Sequence, residues 1–205
     1  LHHIGEYLPT TFGHCHIIPL NIASREFRDV EEEFYKSCEG GEDVFEIVDI
    51  KRVQNTHSLK YFSQKYEDDA TFLKGVAINH NLYHCTRGNL ENVIKEGLDQ
   101  RLARIGLFGR GIHFTNNPIK SNIYHTQDFT KQDYTTVRTV FKVSVLLGNA
   151  YVNPDKVHTQ KLLREPEGFN SVIGNMSGFE EFVVYDSQRT LISYIINYRQ
   201  TPKYY

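Results

Sequence analysis

Cysteine is scarce in this chain, apolar runs of membrane length are missing, and neither sign of charge dominates. Among 205 residues there are three cysteines, Cys15, Cys38 and Cys85, scattered and odd in number. That argues against a disulfide framework and for a reducing compartment. No apolar run approaches the ~20 residues of a membrane-spanning helix, and no secretory-signal pattern opens the sequence. The formal net charge is −2, so nothing in the charge balance points to a nucleic-acid partner. A metal-ligand pattern is also lacking. His14-Cys15-His16 are consecutive, successive side chains rarely converge on one ion, and no second cluster lies nearby. The expectation is an intracellular protein, of cytoplasm or nucleus, with no metal and no membrane partner. The length suits a single domain over 1–205. A start at Leu1 rather than Met suggests excision from something longer.

What is present is a mixture of short helical and strand patterns. Residues 1–23 show no clear period. A helix is expected after Ser24, with Phe27, Val30 and Phe34 inward and Glu31 and Glu32 in water. Gly40-Gly41 ends it, and 44–53 reads as a strand rich in β-branched residues. A second helix is expected from about Thr56, with Leu59, Phe62 and Tyr66 inward, and residues 75–83 return as a strand. Val137, Thr139, Phe141, Val143, Val145 and Leu147 alternate with Arg138, Lys142 and Ser144, the clearest period of two in the chain. Residues 150–178 read as a long ordered loop, a feature that is uncommon unless it serves function. The segments 180–186 and 191–198 are strand-like, and the turn signals between them suggest that they pair.

The stretch from His84 to Tyr124 carries the chemistry. A short apolar strand ends in His84. Asn89 is a good N-cap before Leu90, Val93 and Ile94, and Gly97 suits the left-handed position that closes such a helix. Gly109 and Gly111 leave the backbone bare beside His113, so a planar group could approach closely. Asn117-Pro118 looks like the N-cap and first residue of another helix, on which Ser121 and Tyr124 share a face. Strand ends meeting glycines and helix starts bring backbone N–H groups and side chains to one small ligand. Alone, His84 at a strand end or Tyr124 on a helix is more often packing than function. The inference rests on the set.

Those motifs resemble the nicotinamide-binding half of the catalytic domain of the poly(ADP-ribose) polymerase family, a diphtheria-toxin-like ADP-ribosyltransferase. His84-Cys85-Thr86 matches its His-Gly-Thr/Ser strand end. Gly109-Arg110-Gly111-Ile112-His113-Phe114 matches its Gly-Lys-Gly-Ile-Tyr-Phe strand, and Lys120-Ser121-Asn122-Ile123-Tyr124 its Lys-Ser-x-x-Tyr helix start. Upstream, Arg52-Val53-Gln54-Asn55 is similar to the family's Arg-Ile-Gln-Asn. Near the C-terminus Glu181 occupies the position of the family's catalytic glutamate, directly before Phe182-Val183-Val184-Tyr185-Asp186. Glu180 is then its solvated neighbour. Cys85 stands where the family has glycine, and His113 where it has tyrosine.

The resemblance implies an α+β fold, the ADP-ribosyltransferase split β-sandwich of two mainly antiparallel sheets with flanking helices. It implies NAD⁺ as co-substrate, a protein acceptor, and the region 150–178 beside the acceptor site. Glu181 would stabilise the oxocarbenium-like ribose as nicotinamide leaves, because a carboxylate is worth most where positive charge develops. His84 would hold a ribose hydroxyl of the adenosine part. Ser121 and the backbone of Cys85 would hold the carboxamide, Tyr124 would stack on the nicotinamide, and Lys120 would orient Glu181 or the acceptor. Neutral His113 can stack as well, whereas its protonated ring would repel the cationic nicotinamide. NAD⁺ affinity is therefore expected to weaken on acidification, and His113→Tyr to flatten that dependence, as titrations at several pH values would read.

Glu181 permits chain elongation in the family, while the short loop between Gly97 and Gly109 is closer to mono-transferring members. No helical autoinhibitory region is recognisable in front, so DNA-break control is not expected. Two other classes stay open. The Cys85 and His113 replacements suit a catalytically silent NAD-binding or protein-interaction module of the same fold. An RNA 2′-phosphotransferase shares the scaffold, but the glutamate in place of an arginine argues against it.

Overall fold

The computed structural model describes residues 10–38, 45–72, 77–86, 89–118, 134–153, 162–176 and 179–202. In chain order the elements are β1 (Thr10–Phe12), β2 (Cys15–Pro19), α1 (Arg25–Ser37), β3 (Phe45–Asn55), α2 (Thr56–Phe72), β4 (Ile78–His84) and α3 (Leu90–Glu96). They continue with β5 (Ile112–Thr115), β6 (Arg138–Leu146), β7 (Ala150–Val152), β8 (Ser171–Met176), β9 (Phe179–Val184) and β10 (Thr190–Gln200). The strands run in the order β1-β2-β3-β10-β6-β4-β5-β9-β8-β7, antiparallel except for β7 beside β8. The fold is α+β, as expected.

The split lies at β4 and β5. Among the described residues these two strands meet at one register pair, Tyr83 with Thr115, whereas β10 runs beside β3 and β6 over most of its length. Two half-sheets are thus joined through one short contact. The main core fills the space they share, with Leu82, Phe141, Val143 and Ile195 from one half and Phe114 and Phe182 from the other. A second core lies under α1, where Phe27, Val30 and Phe34 meet Tyr83, Val140 and Tyr198. Ser24 begins that helix by accepting from the Phe27 N–H at 3.1 Å, a cap contributing about 1 kcal/mol.

Several expectations change once packing is seen. Residues 10–19, read as irregular, form the β1–β2 hairpin, with Gly13 at φ +56° in its turn. His14, Cys15 and His16 then point to three separate partners: the Lys95 carbonyl, the Ile94 carbonyl and the Thr11 hydroxyl. The alternation in β6 does not mark a wet face, because Arg138, Lys142 and Ser144 are all buried. A central strand is covered on both sides, and Lys142 is neutralised by Glu33 of α1.

In α2, Phe62 is inward but Leu59 and Tyr66 are 49% and 42% exposed. The inward stripe is Ser58, Phe62, Lys65 and Asp69, and its last two members make ion pairs with Asp186 and Arg189. The stretch 150–178 is not one long loop: it contains β7 and β8. Finally, β9 and β10 do not pair. Between them the chain crosses from one half-sheet to the other, with β9 between β5 and β8 and β10 between β3 and β6.

Candidate active site

Glu181 stands near the start of β9, opposite Thr115 of β5 and Gly174 of β8. It is buried, with 4% of its surface exposed. Alternation along β5 and β9 sends Ile112, Phe114, Phe182 and Val184 into the main core, which leaves His113, Thr115, Glu181 and Val183 on the other face. There His113 Nδ1 lies 3.2 Å from Glu181 Oε1. Glu180 turns outward and accepts from Asn116 at 2.9 Å, the solvated neighbour that the motif implies.

His84 reaches the His113 backbone from β4. Its Nδ1 lies 2.8 Å from the carbonyl oxygen of His113. A carbonyl only accepts, so Nδ1 carries the proton and a neutral His84 keeps Nε2 as an acceptor. Its ring sits beside Phe114, with centroids 5.6 Å apart. Burial pushes its pKa down from 6.5 to about 4, opposed by the His113 carbonyl and aided by the His113 imidazole. His113 therefore ties the site together, fixing His84 with its backbone and touching Glu181 with its ring.

The depressed His84 value links protonation to stability. The unfolded chain takes up this proton first, so the neutral, part-buried imidazole contributes fully above about pH 6.5 and loses its contribution as pH falls towards 4. The span is worth up to about 3 kcal/mol. His84→Asn keeps a donor for the His113 carbonyl without titrating. Urea unfolding at neutral and acid pH should show that variant losing less stability than the parent. Equal losses would mean that His84 is not the neutral, desolvated base described.

Glycines shape the wall behind His113. Gly106 and Gly109 bond each other through reciprocal backbone pairs of 3.0 and 3.3 Å, and Gly109 offers its carbonyl to His113 Nε2 at 3.1 Å. A Cβ at Gly106 would lie 2.5 Å from His113 Cε1, so the ring packs directly on bare backbone. Gly109 needs its own freedom: its φ is +91°, and a Cβ there would come within 2.3 Å of the Leu162 carbonyl. Gly106 lies outside the family's motif, and its signal in the sequence is the spacing Gly106-x-x-Gly109-x-Gly111.

The Cys85 thiol is directed to the Thr139 carbonyl of β6 at 3.8 Å. Lys120, Ser121 and Tyr124 lie outside the described residues. The structure thus brings together His84, His113 and Glu181, with Cys85 following His84 in the chain. The upstream motif has a structural role of its own. Asn55 Oδ1 accepts from the Ser58 N–H at the start of α2, while its Nδ2 donates to the Ile94 and Lys95 carbonyls of α3. One amide caps two helices and sets α3 against β3.

A glutamate before a buried aromatic strand, a histidine of fixed tautomer and a glycine-framed strand thus converge from sequence positions far apart. The family model described as the poly(ADP-ribose) polymerase catalytic domain matches residues 24–200, an interval that contains every one of these elements. The chain belongs to the poly(ADP-ribose) polymerase catalytic-domain family.

Proposed function

We propose that this chain cleaves NAD⁺ at the nicotinamide–ribose bond and transfers ADP-ribose to a protein acceptor as single units. The observation that carries the reading is the buried Glu181 carboxylate, held near His113 while the His113 backbone fixes His84. Expelling neutral nicotinamide leaves positive charge on the ribose, and a carboxylate fixed in a poorly solvated place stabilises that charge selectively. The Nε2 of His84, an acceptor at neutral pH, suits a ribose hydroxyl. Ser121 and the Cys85 backbone are assigned to the carboxamide, Tyr124 to the face of the nicotinamide ring, and Lys120 to Glu181 or the acceptor. Glu181 would permit elongation. The short segment between Gly97 and Gly109 favours single-unit transfer.

The test is incubation with labelled NAD⁺, followed by separation of labelled protein and free nicotinamide. Label on protein that disappears in Glu181→Gln supports the reading, and its length distribution separates single units from chains. Label that persists in Glu181→Gln removes the mechanism. Absence of both label and NAD⁺ binding would favour a silent interaction module, with Cys85 and His113 as the departures that disabled it.

A further inference from the structure

His113 faces two acceptors, and its neutral ring can satisfy only one. Nδ1 lies 3.2 Å from the Glu181 carboxylate and Nε2 3.1 Å from the Gly109 carbonyl. Neither a carbonyl nor an ionised carboxylate has a proton to give, and a neutral imidazole has one N–H. The pair therefore needs one proton more than neutral His113 and ionised Glu181 possess. The ring is confined beside that arrangement, because Gly106 abuts its Cε1 edge and the reciprocal Gly106–Gly109 bonds hold the wall.

We propose that His113 is a positioning residue for Glu181, and that a proton shared by the two sets how much negative charge the carboxylate presents to the sugar. The inference rests on the NAD⁺-cleaving reading above. With the extra proton the two groups form a dipole, whose attraction for a developing cation falls off faster with distance than that of a bare carboxylate. Without it Glu181 regains its full charge. The single remaining N–H then goes to the carboxylate rather than to Gly109, since a charge-assisted hydrogen bond is the stronger one. Glu181 is then both oriented and fully charged.

Three charged or titratable neighbours among the described residues are neutral or engaged elsewhere. His84 stays neutral down to about pH 4. Glu180 is turned to Asn116, and the Arg110 guanidinium is bound to the Arg101 and Ala103 carbonyls.

The experiment measures nicotinamide release from NAD⁺ between about pH 8 and about pH 5. The parent, His113→Asn and His113→Ala are compared, with kcat and KM separated. In the parent, kcat should fall roughly tenfold on acidification as charge stabilisation is lost. Asparagine places a non-titrating N–H near the position of Nδ1, so His113→Asn should lose that acid limb and turn over faster than His113→Ala. An acid effect confined to KM would instead report repulsion of the nicotinamide ring. That result, the same acid limb in His113→Asn, or equal kcat in Ala and Asn overturns the proposal. If no variant releases nicotinamide, the NAD⁺-cleaving reading has failed, and imidazole N–H resonances decide this one alone. A His113 Nδ1–H signal that vanishes in Glu181→Ala upholds the pairing. A signal unchanged in Glu181→Ala ends it.

Discussion

Glu181→Gln is expected to lower turnover of NAD⁺ by about 10²- to 10³-fold, the range seen when one preorganised stabilising group is removed from a reaction centre. The amide has nearly the same shape and can still meet His113, so the change removes charge rather than volume. Packing around Glu181 should hold the replacement in place. Its β8 neighbour Gly174 is covered so closely by Phe108 that a Cβ there would fall 2.0 Å from that ring, and Phe108 packs with Val172, Val183 and Tyr185. An interaction made mainly in the transition state should reduce kcat and kcat/KM together and leave KM within several-fold. Steady-state nicotinamide release, with a thermal melt to confirm folding, checks both halves. A folded Glu181→Gln protein that retains turnover near the parent's would assign the chemistry to another group.

The parts of this molecule legible in its sequence are those decided by neighbours in the chain. Ser24 capping α1, Asn89 capping α3 and Gly97 closing it at φ +84° are local events. So are the short strand of Ile112–Thr115 and the end of β4 at His84. Contacts between distant partners leave weaker local signals. Strand β7 is three residues long and pairs with β8 across about twenty intervening positions, too short for a period to emerge. The inward stripe of α2 was hidden because half of it is ionic: Lys65 and Asp69 are directed inward by Asp186 and Arg189, more than a hundred residues away. Apolar periodicity favoured Leu59 and Tyr66, which lie in water.

The site shows the same division. Motifs identified His84, His113 and Glu181 one by one, but the contact of His113 with Glu181 depends on β5 and β9 pairing in one register. A one-residue slip would turn Glu181 to the opposite face of its strand. The non-pairing of β9 with β10 follows from a tertiary event as well. The turn between them is held by α2, which is also where the largest effect on stability is expected.

Asp69→Ala should lower the free energy of unfolding by about 3–5 kcal/mol, the usual cost of stranding one member of a buried ion pair. Asp69 and Arg189 are 7% and 3% exposed and meet through two bonds, Nη1 to Oδ2 at 2.7 Å and Nη2 to Oδ1 at 3.0 Å. Arg189 Nη1 also lies 3.3 Å from the Leu146 carbonyl at the end of β6. Among the described residues, removing the carboxylate leaves the enclosed guanidinium with the Leu146 carbonyl alone. Lys65 and Asp186, at 2.9 Å on the same helix–turn contact, are each roughly a quarter to a third exposed. Lys65→Ala should therefore cost no more than about 1 kcal/mol. Denaturant unfolding of the two single variants separates these cases. The double replacement Asp69→Leu/Arg189→Met should lose much less than the sum of its singles, because no charge is then stranded. The turn also accepts the Gln100 N–H on Ser187 at 2.9 Å, while Gln100 Nε2 holds the Arg110 carbonyl at 3.1 Å. Freeing Arg189 should thus loosen the wall behind His113 and raise KM for NAD⁺ even in the fraction that remains folded. If Asp69→Ala stays within about 1 kcal/mol of the parent, the pair contributes no more than an exposed one, and some other contact must hold β9 away from β10.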